Sequence, residues 1–267
     1  MTRMQTDLAE RLADRIATAW TTAGRPILVG LCGPQGSGKS TLAGDLQQAL
    51  RAVGCSTAVL SIDDVYLTKA ERARLAVEIH PLMAVRGPPG THDVALANTV
   101  LDALLQGEPV RLPRFDKGRD DRSKDQPMLT GPTDVVLFEG WCVGARPEPQ
   151  AALSAPVNAL EREEDPDGVW RAYVNQALAG PYRALFDRLD LLVLLQAPSF
   201  DVVVGWRQQQ EHGLRERSGM GMSDAEVARF VSHYERLSRH IAREAPARAD
   251  VVVWLDHARQ PIKVDGA

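Results

Sequence analysis

Long apolar runs are missing from this sequence, and none approaches the roughly 20 residues needed to cross a membrane. The N-terminal stretch Met1 to Trp20 lacks the apolar core of a secretory signal and carries Asp7, Glu10 and Asp14. No membrane partner is expected, and the expected location is cytoplasmic. Cysteine is scarce as well. Cys32, Cys55 and Cys142 are odd in number, widely spaced and set in or beside apolar runs, so they read as small buried hydrophobes in a reducing compartment, with no zinc spacing among them. There is no excess of positive charge either: a net charge of −4 argues against a general nucleic-acid binder. Internal repeats and low-complexity tracts are absent. What remains is 267 residues, 44% hydrophobic and 25% charged, the composition of an ordinary globular protein with a substantial core. One domain over residues 1–267 is expected.

Against that background one stretch carries chemistry. Gly33 to Thr41 reads GPQGSGKST and matches G-x-x-x-x-G-K-[ST] at Gly33, Gly38, Lys39 and Ser40. Pro26 to Cys32 before it is a short apolar run with the character of a buried strand. After it, Leu42, Leu46 and Leu50 recur every four residues, as on one face of a helix. Strand, glycine loop and helix are the context of a phosphate-binding loop. Glycines let backbone N–H groups approach phosphate oxygens, and the starting helix adds the positive end of its dipole. Gly33, Pro34, Gln35, Gly36, Ser37, Gly38, Lys39, Ser40 and Thr41 are therefore expected to cradle the phosphates of ATP. Lys39 is expected to reach the β- and γ-phosphates, and the Ser40 hydroxyl to coordinate Mg²⁺.

The rest of the chain alternates strands and helices. Leu8, Leu12, Ile16 and Trp20 mark an amphipathic helix. Ser56 to Ile62 reads as a strand ending in Asp63 and Asp64, two carboxylates at the carboxyl edge of a parallel sheet, fit for a general base or a metal ligand. Lys69 to Ile79 is helix-like, stopped by His80-Pro81, and Thr91 or Asp93 caps a helix running to Gln106. Arg86 and His92 sit in the loop before that helix, where an anionic substrate could be held. Val110 to Phe115 reads as a short strand, and the charged run Asp116 to Asp125 mostly as solvated surface, with Arg114, Asp116 and Lys117 facing the cleft. Thr133 to Gly140 is a buried strand whose Glu139 is placed to hold Mg²⁺ directly or through water. Pro147 to Asp167 looks like a loop, and Val169 to Arg188 like a helix bent at Gly180-Pro181.

Leu189 to Ala197 is a further core strand. Phe200 to Arg217 is a helix bearing Arg207, Arg215 and Arg217, and with Gly219 and Gly221 it suits a lid over residues 200–222. Ser223 and Glu226 form a capping box, Asp250 to Leu255 is a last strand, and the tail from Asp256 is short. These elements predict an α/β fold of the P-loop NTPase type: a doubly wound parallel sheet of five core strands with helices on both faces and a helical lid. The lack of an Asn-Lys-x-Asp motif disfavours a GTPase.

The blocks GPQGSGKST, SIDDVYLT, RGPPGTHD, LPRFDK, VVLFEGW, GWRQQQE and GMSDAEVARFV together resemble the D-glycerate 3-kinase family, related to phosphoribulokinase, uridine kinase and bacterial pantothenate kinase. The resemblance runs from about Ile27 to His233. It implies Asp63 as catalytic base and metal neighbour, and Glu139 as the magnesium-associated carboxylate. Asp64, Tyr66, Arg86, His92, Arg114 and Lys117 fall on the acceptor side, and Arg207 and Arg215 in the lid. Three departures stand out: Val65 replaces a Phe usual between the Asp pair and the Tyr, the loop after Lys117 looks shorter than in the plant and fungal members and lacks their aromatic residues, and Tyr234 to His240 reads YERLSRH in place of Tyr-x-Pro-Ala-Tyr. The implied activity is in-line transfer of the ATP γ-phosphoryl group to a hydroxyl of a small hydroxy acid such as D-glycerate. A nucleoside, pantothenate-like acid or sugar phosphate is the alternative acceptor, and a non-catalytic ATP-binding regulator the alternative class.

Overall fold

In a computed structural model, which describes residues 3–218 and 221–266, strands and helices alternate along the chain. Of the residues named above, Met1, Gly219 and the side chain of Arg217 lie outside the described part. Helix α1 (Arg3–Ala23) leads into β1 (Ile27–Cys32), the glycine loop, α2 (Lys39–Ala52), β2 (Thr57–Ser61), α3 (Lys69–Glu78) and α4 (Val94–Gln106). Four two-residue strands follow, β3 (Val110–Arg111), β4 (Phe115–Asp116), β5 (Asp121–Arg122) and β6 (Met128–Leu129), paired antiparallel as β3 with β6 and β4 with β5. The chain then forms β7 (Val135–Gly140), α5 (Ala159–Glu164), α6 (Val169–Ala179), α7 (Pro181–Phe186), β8 (Leu191–Gln196), α8 (Asp201–Ser218), α9 (Asp224–Glu244), β9 (Val251–Leu255) and β10 (Pro261–Asp265).

The main sheet has the order β10-β9-β8-β1-β7-β2. Strands β2, β7, β1, β8 and β9 run parallel, and β10 folds back antiparallel on β9. Because side chains alternate along a strand, β1 feeds two cores. Ile27, Val29 and Leu31 join Leu12 and Ile16 of α1, Leu46 and Leu50 of α2 and Trp206 of α8 on one face. Leu28 and Cys32 join α4, α6, α7 and α9 on the other, through Leu101, Leu178, Tyr182 and Leu237. Strands buried on both faces explain the near-continuous apolar runs of the sequence.

The expected helix starts hold: Asp93 caps α4 by accepting from Leu96 N, and Ser223 and Glu226 form their capping box. Three local readings change. Val110 to Phe115 is no continuous strand, because Pro113 has no N–H to give a ladder, and the segment splits into β3 and β4. Pro147 to Asp167 is not all loop: a 3₁₀ turn at Gln150–Ser154 and α5 bury Leu153 and Leu160. The buried Glu161 carboxylate of α5 takes two hydrogen bonds from Arg236 of α9, at 2.8 and 2.7 Å. Finally, the tail carries a sixth strand. Asp256 N donates to Gln260 O and Asp256 Oδ1 accepts from Gln260 N, closing the turn into β10.

Candidate active site

The strand register brings three carboxyl ends level. Leu31 of β1 and Ser61 of β2 both lie beside Glu139 of β7, so the glycine loop, the Asp63-Asp64 turn and Glu139 open onto one edge. A cleft of about 120 Å³ sits there, lined among others by Gln35, Lys39, Ser40, Asp63, Glu139 and Arg207.

On the phosphate side the loop is held tightly. Gly36 has φ +76°, and a Cβ on it would stand 2.7 Å from Cβ of Trp206 in α8, so a side chain there has neither the backbone conformation nor the space. Ser40 Oγ donates to Glu139 Oε1 at 3.0 Å, a hydroxyl and a carboxylate meeting as hard oxygen donors of the kind Mg²⁺ takes. Lys39 Nζ rests 3.0 Å from Pro34 O, folded onto its own loop. A neighbouring hollow of about 280 Å³ continues from the loop past Ser37, Gly38 and Thr41 to Asp45, Gln210 and Arg259. The cradle and the oxygen pair fit a nucleotide with its metal.

On the opposite side, both oxygens of Asp63 are engaged. Tyr66 OH donates to Oδ1 at 2.7 Å and Lys117 Nζ to Oδ2 at 2.7 Å. Burial pushes the Asp63 carboxyl up, but the Lys117 ammonium and the hydrogen bonds from Lys117 and Tyr66 together outweigh it and hold the group below the usual carboxylate range. Burial and the nearby Asp63 charge raise Tyr66 well above the ordinary phenol, so it stays a donor. The Arg86 backbone is clamped next door: its carbonyl accepts from Tyr234 OH at 2.9 Å, and Gly87 O accepts from Trp141 Nε1 at 3.1 Å. Arg86 itself pairs with Asp120.

The comparisons with known proteins bear on this geometry. The uncharacterized kinase mug58 of Schizosaccharomyces pombe is 42% identical over 224 residues, covering 79% of this chain and 79% of the relative. The chloroplastic D-glycerate 3-kinase of Arabidopsis thaliana is 32% identical over 257 residues; these cover 89% of this chain but 54% of that longer protein. A solved D-glycerate 3-kinase from Cryptococcus neoformans superposes with a TM-score of 0.82 at 27% identity, over 97% of this chain and 98% of that one. The chain belongs to the P-loop kinase family that contains D-glycerate 3-kinase. The family model of the methylmalonyl-CoA mutase-associated GTPase MeaB also matches, over residues 3–68. That span holds α1, β1, the glycine loop, α2 and β2, and stops before Arg86, Lys117 and Glu139.

Within this kinase fold the candidate residues separate into two groups. Gln35, Gly36, Lys39, Ser40, Asp63, Tyr66, Arg86, Lys117, Glu139 and Arg207 converge on the cleft. The others stand back from it. Asp64 turns away from its neighbour: Oδ2 pairs with Arg114 at 3.0 Å and Oδ1 accepts from Phe115 N at 3.1 Å, so this pair ties down the LPRFDK segment. Burial raises Asp64, with Arg114 opposing. His92 lies buried behind Tyr66, the rings stacked at 4.7 Å. Tyr182 OH accepts from Gly90 N at 2.9 Å and sits 2.6 Å from His92 Nδ1, within hydrogen-bond distance. Burial lowers His92 to about 4, with Asp63 opposing. Arg215 donates to Met222 O and lies 3.4 Å from Asp224, at the far end of α8.

Arg207 reaches the cleft in a particular pose, paired with the buried Glu211 one turn on and placed over the Phe230 ring at 5.8 Å. Trp141, Gln210, Phe230 and Tyr234 also line the cleft; the first three fall in the VVLFEGW, GWRQQQE and GMSDAEVARFV blocks, but none of the four was singled out as a site residue. Phe230 and Tyr234 are one helical turn apart on α9, and that i, i+4 aromatic pair is the trace they leave in the sequence. Among the described residues no helix is long and apolar enough to span a membrane.

Proposed function

We propose that the protein transfers the γ-phosphoryl group of ATP to a hydroxyl of a small hydroxy acid, D-glycerate before all others, giving a phosphoglycerate. The observation that carries this reading is Asp63: a carboxylate held by Tyr66 and Lys117 in the same cleft as Lys39 and the Ser40–Glu139 pair. A purely binding protein has no use for a base there. The names of two similar proteins, both D-glycerate 3-kinases, supply the acceptor.

Ser40 and Glu139 are the residues that would hold Mg²⁺, and a metal there would supply charge neutralisation for the phosphates. The glycine loop fixes the phosphates through its backbone, and the hollow beside Thr41 and Arg259 receives the nucleoside. Asp63 accepts the acceptor's hydroxyl proton as the new bond forms. Lys39 and Arg207 face the transferring group and stabilise its spreading negative charge, with residues 200–222 as the lid that carries Arg207. Arg86 offers a planar fork to the acceptor carboxylate. The test is ADP release with Mg-ATP across D-glycerate, L-glycerate, uridine, pantothenate and ribulose 5-phosphate. Selective turnover of D-glycerate is expected. Turnover of another acceptor keeps the chemistry and moves the specificity, and ATP binding with no turnover on any acceptor turns the reading toward a regulator.

A further inference from the structure

The charged run after Lys117 contains a residue that does not behave as surface. Asp120 has φ +55°, a left-handed conformation that few residues other than glycine adopt and that Asp tolerates better than most. It is held there by Arg72 of α3, whose side chain is 1% exposed. Arg72 Nη2 donates to the Asp120 carbonyl at 2.7 Å and pairs with its Oδ2 at 2.9 Å, while Nη1 donates to Ala84 O at 2.8 Å. A guanidinium buried this deeply has to keep its carboxylate, since separating the two would strand a charge out of water. The pose of Asp120 is thus imposed from the core side.

Its other oxygen faces outward. Asp120 Oδ1 pairs with Arg86 Nη1, and Arg86 lines the cleft beside Asp63 and Lys117. Both guanidinium groups lie over the Phe115 ring, Arg72 at 5.9 Å and Arg86 at 5.6 Å from its centroid. One carboxylate shared by two guanidinium groups leaves one positive charge in surplus, and the member of the trio that opens to the cleft is Arg86. Neighbouring bonds stiffen the same loop: Asp121 Oδ1 accepts from Lys69 N at 3.2 Å, and Arg122 pairs with Asp93 at 2.9 Å.

We infer that Asp120 is a positioning residue for the acceptor's acid group: it locks the Arg86 fork between the buried Arg72 and the Phe115 ring, so that the cleft selects acceptors carrying an anion beside the reacting hydroxyl. This rests on the proposed kinase reading for its kinetic expression, but not for its structural one. Two readouts separate them. In Asp120→Asn, which keeps tolerance for the left-handed backbone, the KM for D-glycerate rises about tenfold while kcat and the KM for ATP move less than about twofold. Asp120→Gly, which relieves the backbone and removes the carboxylate, gives the same pattern. In an Arg86→Ala background Asp120→Asn adds nothing further. Effects that multiply in that background, or a common loss of kcat and ATP affinity, overturn the inference. The second readout needs no turnover: phenylglyoxal modification of Arg86, followed by peptide mass spectrometry, runs about fivefold faster in Asp120→Asn than in the wild type. Unchanged labelling overturns the inference whatever the kinetics show. Faster labelling in a protein that does not phosphorylate D-glycerate supports the positioning role and removes only the proposed acceptor.

Discussion

The two sides of the cleft are built in opposite ways. The phosphate side is nearly all local: nine consecutive residues, Gly33 to Thr41, join one partner, Glu139, across a single strand neighbour. The side proposed for the acceptor is assembled from distant segments. Lys117 reaches Asp63 from 54 positions away, Asp120 reaches Arg86 from 34, and Tyr234 clamps the Arg86 carbonyl from 148. Phosphate binding needs backbone N–H groups on a turn, and a short stretch of chain can provide them wherever a strand meets a helix. Recognition of a small acid needs side chains converging from several directions, which only a folded chain can bring together. The family model that ends at residue 68 spans the whole glycine loop but, of the other side, only Asp63, Asp64 and Tyr66.

This contrast can be tested by substitutions on each side. The largest effect is expected from Asp63→Asn, a loss of about 10²–10⁴ in turnover with ATP binding near wild type; full activity in that variant would remove Asp63 as base. Lys39→Ala on the phosphate side should lose about 10²–10³ in kcat and also weaken ATP binding, the fold staying intact by circular dichroism. If Lys39→Ala changed only the acceptor KM, the two sides would not be separable as drawn. A smaller, structural effect is expected at Gly87, which has φ +117° and where an added Cβ would fall 1.8 Å from Tyr234 OH. Gly87→Ala should cost about 1–3 kcal/mol of stability and raise the D-glycerate KM through the displaced Arg86, and an unchanged melting curve would contradict the clamp.

The smallest effect is a pH dependence. Burial lowers His92 from 6.5 to about 4, so the fold favours its neutral form, and that stabilisation is complete above pH 6.5 and is lost as pH falls toward 4. Between pH 7 and 6 the loss is about 0.7 kcal/mol. His92→Gln should flatten this part of the acid limb in urea titrations, and an unchanged slope would place the titrating group elsewhere.

Much of the fold was legible because its signals are periodic and local. Alternating apolar runs and four-residue leucine spacings marked the strands and helices, and Asp93, Ser223 and Glu226 marked helix starts. The misses have a common physical cause. Arg236 and Glu161 bury each other across 75 positions, and no local pattern announces such a pair. The same holds for Asp120: in a run of alternating charges it reads as solvated, and only the packing of α3 against the loop turns it into the partner of a buried arginine. His92 and Arg114 sit in motif blocks on the acceptor side, but the fold places one behind Tyr66 and the other on Asp64.

The sequence by itself determined the doubly wound arrangement and the position of the phosphate loop, because both follow from hydrophobic period and from glycines whose conformational freedom is intrinsic to the residue. Which charged side chains face the acceptor, and which are spent on each other, was decided only by the tertiary structure. Burial sets the cost of leaving a charge unpaired, and burial is a property of the packed chain rather than of any one segment.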